Sequence, residues 1–509
     1  MFPYLFIAIG GIMRTDFGMP TACLLKVAAV VVFLFAGQSV PAQTPDTSKD
    51  TPEVKELKER LKQLEQAVEE LKGKLTIVED QQKAAKTVSV TAENKPVRVM
   101  EAVAKDDALL QAARPDIAAS ANKQDDEKTG ESTLQIYGAA MLDSGYQFKA
   151  NHPDWFDVVR PTKLPSFEGE YGPNGKTFFG VRQSRFGVKS STPTKYGELK
   201  TIFEFELFGT GVDAGQTTFR LRHAWGELGQ FGAGQTWSPF MDPDVFPNSL
   251  EYWGPNGMVF FRNVQFRWMP LKGKNAITIA VERPGASGDQ GQFADRIELQ
   301  GVKSKFDLPD LSGNVRFTRD WGHVQIAGIL RRIKWVDTNT ADEFDLSGQA
   351  TSAGINISSN LNFTKKDVGR FSLVYGNGIQ NYMNDAPVDI GIEVRSPAPS
   401  PGSGIAPIEG VALPVTGVVA FLDHTWNKRF STSVGYSMVN IQNSNGQTAD
   451  AYHRGHYGLA NLLYYPVDNV MMGGEFQWGR RENYLDGFKS DDFRIQFSFK
   501  YNFSKTFKF

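Results

Sequence analysis

Apolar and polar residues alternate along the last segment of the chain, from Phe493 to Phe509. In an extended chain, successive side chains point to opposite faces, so one face of this segment is almost wholly aromatic and the other is polar. Lys505 is the one polar residue in the apolar row. A row of this length is typical of a strand that meets lipid on one side and water on the other. The segment therefore predicts a transmembrane β-strand, with a strand of a soluble barrel or sandwich as the alternative.

The same alternation recurs from Thr133 to the end of the chain and predicts about sixteen strands. They lie near 133–146, 177–189, 198–208, 217–228, 230–238, 259–269, 275–282, 311–319, 323–335, 350–363, 367–375, 415–426, 429–441, 453–465, 469–480 and 493–509. Short connections alternate with long ones, as in outer-membrane barrels, whose turns face the periplasm and whose loops face outside. The sequence thus predicts an all-β transmembrane barrel of about 16 antiparallel strands over 133–509, wide enough for an aqueous channel.

The N-terminal part of the chain reads differently. An apolar segment, Leu24–Ala36, is followed by Val40-Pro41-Ala42, which has small residues where a signal peptidase reads. We interpret residues 1–42 as a secretory signal, since roughly thirteen apolar residues fall short of the ~20 that a spanning helix needs. The one cysteine, Cys23, lies within it. A mature chain beginning near Gln43 would then have no thiol chemistry.

After a linker at 43–52, residues 53–86 repeat apolar side chains at alternating spacings of three and four. This heptad pattern, flanked by charges, predicts an N-terminal α-helical coiled coil, with a single amphipathic helix as the alternative. Its seam is formed by Val54, Leu57, Leu61, Leu64, Val68, Leu71, Leu75 and Val78. The mixture of Leu and Val does not fix the number of strands. Residues 87–132 have little periodicity and are expected to form a flexible linker.

Charge and chemistry narrow the function further. Lys plus Arg number 55 and Asp plus Glu 57, so no bulk charge favours a nucleic-acid partner. No nucleophile–base spacing, phosphate loop or metal cluster stands out, and the six histidines are scattered. His453 and His456 could approach a metal, but two ligands are too few to predict a site. We therefore expect no enzyme activity, no cofactor and no metal.

Several basic residues fall on the polar faces of predicted strands and are expected to line the lumen. They are Arg185, Lys200, Arg220, Arg222, Arg267, Arg316, Arg494 and Lys500. Arg182 has the opposite parity to Arg185, so one of the two should face outward unless a bulge intervenes. Glu204, Glu206 and Glu475 share inward faces, which makes the lumen mixed. Basic rings attract anions, so small organic acids are a reasonable cargo.

The long connection at 239–258 contains three prolines before Leu250 and the carboxylates Asp242, Asp244 and Glu251. If it folds into the lumen, it narrows the pore and sets acids opposite the basic wall, which creates a transverse field. An ordinary surface loop is the alternative, and the residues alone leave both open.

Several motifs resemble those of known porins. The first four resemble general Gram-negative porins, and the last two, with the coiled coil, resemble the DcaP-like porins: Ser184–Lys189, Gly197–Lys200, Arg222–Leu228, Gly234–Ser238, Asp320–Gly328 and Tyr375–Ile379. The resemblance implies a homotrimer of sixteen-stranded barrels in outer-membrane lipid, with helices in the periplasm, and uptake of dicarboxylic acids and similar small anions. It also implies that Arg185 and Arg222 lie on the basic side of a constriction, and that the loop at 239–258 folds inward as its acidic side. The ending Ser504–Phe509 departs from the pattern and leaves the register of the last strand open.

The predicted function is therefore passive diffusion of small hydrophilic solutes, favouring small organic anions, across the outer membrane of a Gram-negative cell. The alternative is an envelope tether, in which the periplasmic coiled coil contacts peptidoglycan and the barrel serves as an anchor.

Overall fold

The computed structural model describes Lys62, residues 130–339 and residues 344–509. The predicted signal (1–42), linker (43–52), coiled coil (53–86, apart from Lys62) and second linker up to residue 129 lie outside the described residues. The fold reported below belongs to the compact unit that spans Ala104–Phe509. In the described part of the chain, no helix is both long and apolar enough to cross a membrane.

The described residues form strands throughout, with a few single helical turns. The strands are β1 (Thr133–Gln147), β2 (Lys176–Gly180), β3 (Arg185–Thr194), β4 (Gly197–Phe208), β5 (Thr217–Leu228), β6 (Phe231–Trp237), β7 (Arg262–Leu271), β8 (Asn275–Glu282), β9 (Val302–Ser304), β10 (Asp310–Arg319), β11 (Gly322–Asp337), β12 (Gly348–Asn362), β13 (Asp367–Asn377), β14 (Ile390–Val394), β15 (Ile408–Ala412), β16 (Pro414–Asn427), β17 (Phe430–Ile441), β18 (Tyr452–Tyr464), β19 (Val470–Asn483) and β20 (Lys489–Lys508). The helical turns are α1 (Ile297–Gln300) and 3₁₀ turns at Pro153–Trp155, Pro161–Lys163, Gly211–Asp213, Pro243–Val245, Gly291–Phe293 and Gln380–Tyr382.

Sixteen of these strands close into an antiparallel barrel, as the alternation predicts. Closure is made by β1, which pairs with β20 from Thr133 opposite Lys508 to Gln147 opposite Arg494. On its other side, β1 pairs with β3 and, further up, with β2. The short strand β9 pairs with β11 above β10, and β14 with β15 forms a separate hairpin. The predicted strand at 177–189 is divided into β2 and β3 by residues 181–184.

The two faces of the barrel wall follow the sequence pattern. In β20, Ile495 and Phe497 are 50% and 54% exposed, whereas Arg494, Gln496 and Ser498 between and beside them are fully buried. The alternation therefore sends aromatic and aliphatic side chains to the outer surface and polar ones to the lumen. Because β20 pairs with β1 through Lys508, its register extends to the end of the strand.

Connections sort by barrel end. Those at one end are short, namely 195–196, 229–230, 272–274, 320–321, 363–366, 428–429 and 465–469. At the other end they are longer, with residues 484–488 as the exception: 148–184, 209–216, 238–261, 283–309, 338–347, 378–413 and 442–451. This sorting is the one predicted, and it identifies the short-turn end as periplasmic by the rule for outer-membrane barrels.

The hydrophobic core lies inside the barrel because long loops fold into it. Phe240, Met241 and Met258, from the connection between β6 and β7, are buried against Val374 and Val419 of the wall. The first long connection also turns inward, since its residues Trp155, Val158 and Leu164 are buried. Its inward course is absent from the sequence-based expectations, which treated it only as a long loop.

Candidate pore constriction

An irregularity in the pairing of β4 with β5 determines which basic side chains of this wall face the lumen. The register between β4 and β5 shifts between Glu204 and Phe205, so Arg222 is an extra residue between Leu221 and His223. Such a bulge lets two successive side chains share a face. Arg222 and His223 are accordingly both buried on the inner side.

Four arginines meet two glutamates at this point. Arg222 forms ion pairs with both carboxylates. Its Nε lies 2.5 Å from Glu204 Oε1, and its Nη1 lies 2.7 Å from Glu206 Oε2. Arg185 lies 3.6 Å from each glutamate. Arg220 and Arg262 lie 3.4 and 3.9 Å from Glu206. Four cations against two carboxylates leave a formal surplus of two positive charges (4 − 2), and we call this group the arginine cluster.

The connection between β6 and β7, residues 238–261, folds into the barrel and covers part of the arginine cluster. We call it the inserted loop. The Tyr252 hydroxyl donates to Glu206, and Arg222 Nη1 lies 3.3 Å from the same hydroxyl oxygen. The Tyr252 ring stacks on Phe208 at a centroid distance of 4.2 Å. The cluster is therefore bounded by the wall on one side and by the loop between β6 and β7 on the other.

Arg160, which lies outside the arginine cluster, joins three loops near it. The Arg160 guanidinium lies 4.1 Å from the ring centre of Trp155 and 4.2 Å from that of Trp253, an arrangement with favourable cation–π energy. Its Nε donates to Asp385 Oδ1 at 2.9 Å, and Asp385 also accepts from the backbone N–H of Thr162. The first long connection, the β6–β7 loop and the β13–β14 connection are thereby joined.

Two members of the arginine cluster retain open surface. The side chains of Arg185 and Arg220 are 22% and 19% exposed, in contrast with 3% for Arg222. Arg185 Nε, Arg220 Nη1 and Arg262 Nη1 make no hydrogen bond to another protein atom in the described chain. Guanidinium donors in a fixed fork match the geometry of a carboxylate. The partly exposed guanidinium groups of Arg185 and Arg220 can thus offer both charge and donors to a small anion.

Asp242 fastens the inserted loop to three neighbouring strands. Its carboxylate lies 3.2 Å from Arg316 Nη1 on β10, 2.7 Å from His323 Nε2 on β11 and 2.7 Å from Ser358 Oγ on β12. Burial opposes its ionisation, but the His323 hydrogen bond and the nearby charges outweigh burial and lower the pKa of Asp242. Arg316 also pairs with Asp244.

The ligand atoms of Asp242, Asp244 and His323 lie within 4.8 Å of one another, a spacing that a metal ion could use. The Arg316 guanidinium already binds both carboxylates. This group is therefore an ion-pair network that anchors the loop.

Glu251 fastens the far part of the same loop. It accepts hydrogen bonds from the backbone N–H groups of Val159 and Gly254 at 3.1 and 2.6 Å and from the Tyr457 hydroxyl at 3.0 Å. Burial raises the pKa of Glu251 to about 7. Glu475, on β19, accepts from the backbone N–H groups of Leu250 and Glu251 at 2.7 and 2.9 Å. Asp242 and Glu251 are both about 1% exposed, so they anchor the loop and offer little surface to solutes.

The other predicted wall residues are spread along the barrel. Arg494 is buried and donates to the Asp157 carbonyl at 2.9 Å, and Arg267 lies over the Trp225 ring. Lys200 is 55% exposed near the short-turn end, 2.9 Å from Glu198. Lys500 shares the inward parity of Arg494 and faces Met141 and Met471 across the sheet.

Three residues of the site were not among the predicted ones. Arg160 lies in a loop. The nearby Trp155 and Pro161 are the sequence features that could have indicated a loop of defined shape. Arg262 has the parity of the lipid-facing Val264, yet its side chain is only 6% exposed and lies near Glu206. Tyr252 reaches the arginine cluster from the inserted loop. Arg182, opposite in parity to Arg185, is also buried, because the break at 181–184 resets the alternation.

A closed barrel with a lipid-facing apolar surface, sorted loops and a polar, loop-narrowed lumen defines the class of outer-membrane porins, which are channels. The family model described as DcaP outer membrane protein matches residues 101–385, just over half of the chain. The protein belongs to the DcaP outer membrane protein family, and its location is the outer membrane.

One solved structure shares the fold, and two others are similar at a lower level. The outer membrane channel DcaP of Acinetobacter baumannii superposes with a TM-score of 0.60 at 17% identity, over 75% of this chain and 100% of that one. The anion-selective porin from Comamonas acidovorans gives 0.47 at 10% identity, over 73% and 100%. The trimer form of OmpT from Vibrio cholerae gives 0.44 at 11% identity, over 73% and 99%. No curated protein matches the chain in sequence.

Proposed function

We propose that this porin passes small hydrophilic solutes by passive diffusion and prefers small organic anions, dicarboxylates among them. The observation that carries the proposal is the arginine cluster, in which Arg185, Arg220, Arg222 and Arg262 exceed Glu204 and Glu206 by two charges. Fixed cations in a narrow, partly desolvated passage raise the local concentration of anions.

The partly exposed guanidinium groups of Arg185 and Arg220 favour carboxylates over spherical anions. Arg185 and Arg220 both approach Glu206, at 3.6 and 3.4 Å, so their guanidinium groups lie on one stretch of wall. Planar forks bind carboxylates with two parallel hydrogen bonds. A dicarboxylate could engage both arginines in turn as it moves past. The resemblance to DcaP-like porins favours the same solute class and a homotrimeric assembly, and both remain predictions for this chain.

The test is single-channel recording in planar bilayers with the whole protein. Under a potassium chloride gradient, we expect a reversal potential that indicates chloride preference, and block of the chloride current by added succinate. The double variant Arg185→Gln/Arg220→Gln should lower the anion-to-cation permeability ratio about fivefold or more, because one unit charge at about 4 Å is worth ~1 kcal/mol even in water.

The matched control is Lys200→Gln. Lys200 faces the lumen but is exposed and paired with Glu198, so its loss should leave the permeability ratio unchanged. Equal permeability of cations and anions in the unmodified protein would remove the proposed preference. Unchanged selectivity in the double variant would show that the arginine cluster does not cause it.

A further inference from the structure

A group of cations lies on the outer wall of the barrel, at the end that carries the long loops. Strand parity on β11 alternates between exposed Leu330 and buried Arg331, so Arg332 and Lys334 face outward. Lys303 pairs with Val336 of the same outer row, and the backbone of Lys305 bonds to Lys334. Arg283 follows exposed Val281 on β8 by two residues. We call this group the outer-rim basic patch: Arg283, Lys303, Lys305, Arg332 and Lys334.

The patch lies directly above the lipid-facing surface. Val281, Leu311 and Leu330 form one row across β8, β10 and β11, and they are 42%, 46% and 51% exposed. Arg332 is the next outward residue on β11 toward the loop end, and Arg283, which is exposed, directly follows the end of β8. Phe306 and Leu308, which are exposed apolar residues, lie in the same segment as Lys305. The cations therefore lie at the loop-side edge of the exposed apolar surface.

Within the part of the chain that the structure describes, most of the charge on the patch has no carboxylate partner. Among the described residues, the ion pair that its members form is Lys334 with Asp307, at 3.4 Å. Arg332 donates to the neutral Gln349 side chain at 2.6 Å, and Lys303 to the Gln300 carbonyl at 2.9 Å. Five cations and one paired carboxylate leave a formal surplus of four positive charges (5 − 1).

The other side of the barrel provides a contrast at the same end. Arg480 and Lys489 share the outward parity of exposed Phe476 and Phe493 on β19 and β20. Arg480 pairs with Asp491 at 2.8 Å, and Lys489 pairs with Glu482 at 3.1 Å. Cations on that wall have carboxylate partners within the chain. Among the described residues, the unneutralised charge thus distinguishes the wall around β8–β11 from the wall of β19 and β20.

We propose that the outer-rim basic patch binds the phosphate groups of an anionic lipid headgroup in the outer leaflet. Arginine and lysine together supply the forked and point-charge donors that phosphate oxygens accept. The apolar row beneath the patch would contact the acyl chains of the same molecule. A headgroup with two phosphates fits a patch whose cations extend over several strands, since Arg283 and Arg332 are separated by β10.

The test uses the purified full chain in detergent, titrated with bisphosphorylated lipid A and measured by native mass spectrometry. The unmodified protein should retain lipid A, and the dephosphorylated lipid with the same chains should bind much more weakly. The variant Arg332→Gln/Lys334→Gln should lower the affinity roughly thirtyfold, or about fivefold for each cation near an anionic surface. Arg480→Gln, on the self-neutralised wall, is the matched control and should bind as the unmodified protein does.

A second variant, Lys303→Gln/Lys305→Gln, keeps the proposal testable if the first fails to fold, because both side chains are exposed outside the barrel strands. It should also weaken binding. Equal retention of the phosphorylated and dephosphorylated lipids, or unchanged affinity in a folded variant, would overturn the proposal. Equally tight binding of inorganic phosphate alone would also overturn it. A change in subunit number without a change in lipid binding would overturn it too, because it would identify the patch as a contact between copies of the chain.

Discussion

The clearest consequence of the structure concerns Asp242, which joins the inserted loop to β10, β11 and β12. Asparagine has nearly the same shape but carries no charge and keeps a single acceptor oxygen. In Asp242→Asn, the Ser358 bond can persist, whereas the charge-assisted contacts with Arg316 and His323 are lost or inverted. Each such contact is worth about 1.5–3 kcal/mol, and neighbouring contacts are not additive. We expect local opening of the loop to become easier by about 3 kcal/mol, a factor of roughly 150.

Cysteine labelling measures this opening directly. Val245 is about 1% exposed and lies three residues beyond Asp242 in the loop. A Val245→Cys variant in a Cys23→Ser background carries one thiol, since Cys23 is the only cysteine of the chain. When opening is fast relative to labelling, the maleimide rate follows the open population, so it should rise roughly 150-fold in Asp242→Asn.

The comparison variant is Asp244→Asn. Asp244 is 13% exposed in its side chain and has Arg316 as its ion-pair partner, so its loss should raise the rate much less. Equal labelling rates for the Asp242→Asn and unmodified backgrounds would refute the idea that this ion-pair network holds the loop. In that case burial of Phe240 and Met241 alone would account for its position.

Two further predictions concern the same loop. Burial raises the pKa of Glu251 to about 7, above its unfolded value, so its stabilising effect is complete below about pH 4.5 and is lost as pH rises through 7. The labelling rate of a buried cysteine near Glu251, divided by that of a free thiol at the same pH to remove the titration of the thiol itself, should therefore rise between pH 5 and 8. Glu251→Gln should make this ratio independent of pH, and a pH-dependent ratio in Glu251→Gln would contradict the prediction. A Cβ on Gly257 would overlap the Met438 carbonyl oxygen and lie 2.7 Å from that of Val418. Gly257→Ala should lower the midpoint of thermal unfolding by several degrees, whereas Gly285→Ala, where a Cβ meets nothing within 4 Å, should not; equal midpoints would show that the loop can move away from the wall.

The barrel was predictable because each strand carries its own signal. A period of two identifies the lipid-facing side without reference to any other strand, so Phe219 and Leu221 suffice to send Arg220 inward. The β4–β5 bulge does not change the predicted orientation of Arg220 or Arg222, because the extra residue is Arg222 itself, which lies on the inner side. Connection lengths are equally local, and they identify the two ends of the barrel.

The contents of the lumen were less predictable because they depend on contacts between distant segments. Trp155 and Leu164 are buried by packing inside a barrel that is built from residues far along the chain, and no local period marks that packing. Arg262 illustrates the same limit at a strand end. It has the outward parity of Val264, but it is the first residue of β7, where the chain leaves the inserted loop and the guanidinium can reach Glu206.

Parity also does not distinguish a cation that holds the protein together from one that faces solutes. Arg220 and Arg316 have the same pattern of apolar neighbours, and both lie on inward faces. Arg316 binds two loop carboxylates, so its charge is neutralised at the anchor. Arg220 shares Glu206 with three other arginines, so part of the positive charge of that group remains uncompensated. The proposed anion preference would thus depend on the local sum of charges, which only the assembled barrel determines. Arg220 is therefore a better target than Arg316 for testing selectivity without releasing the loop.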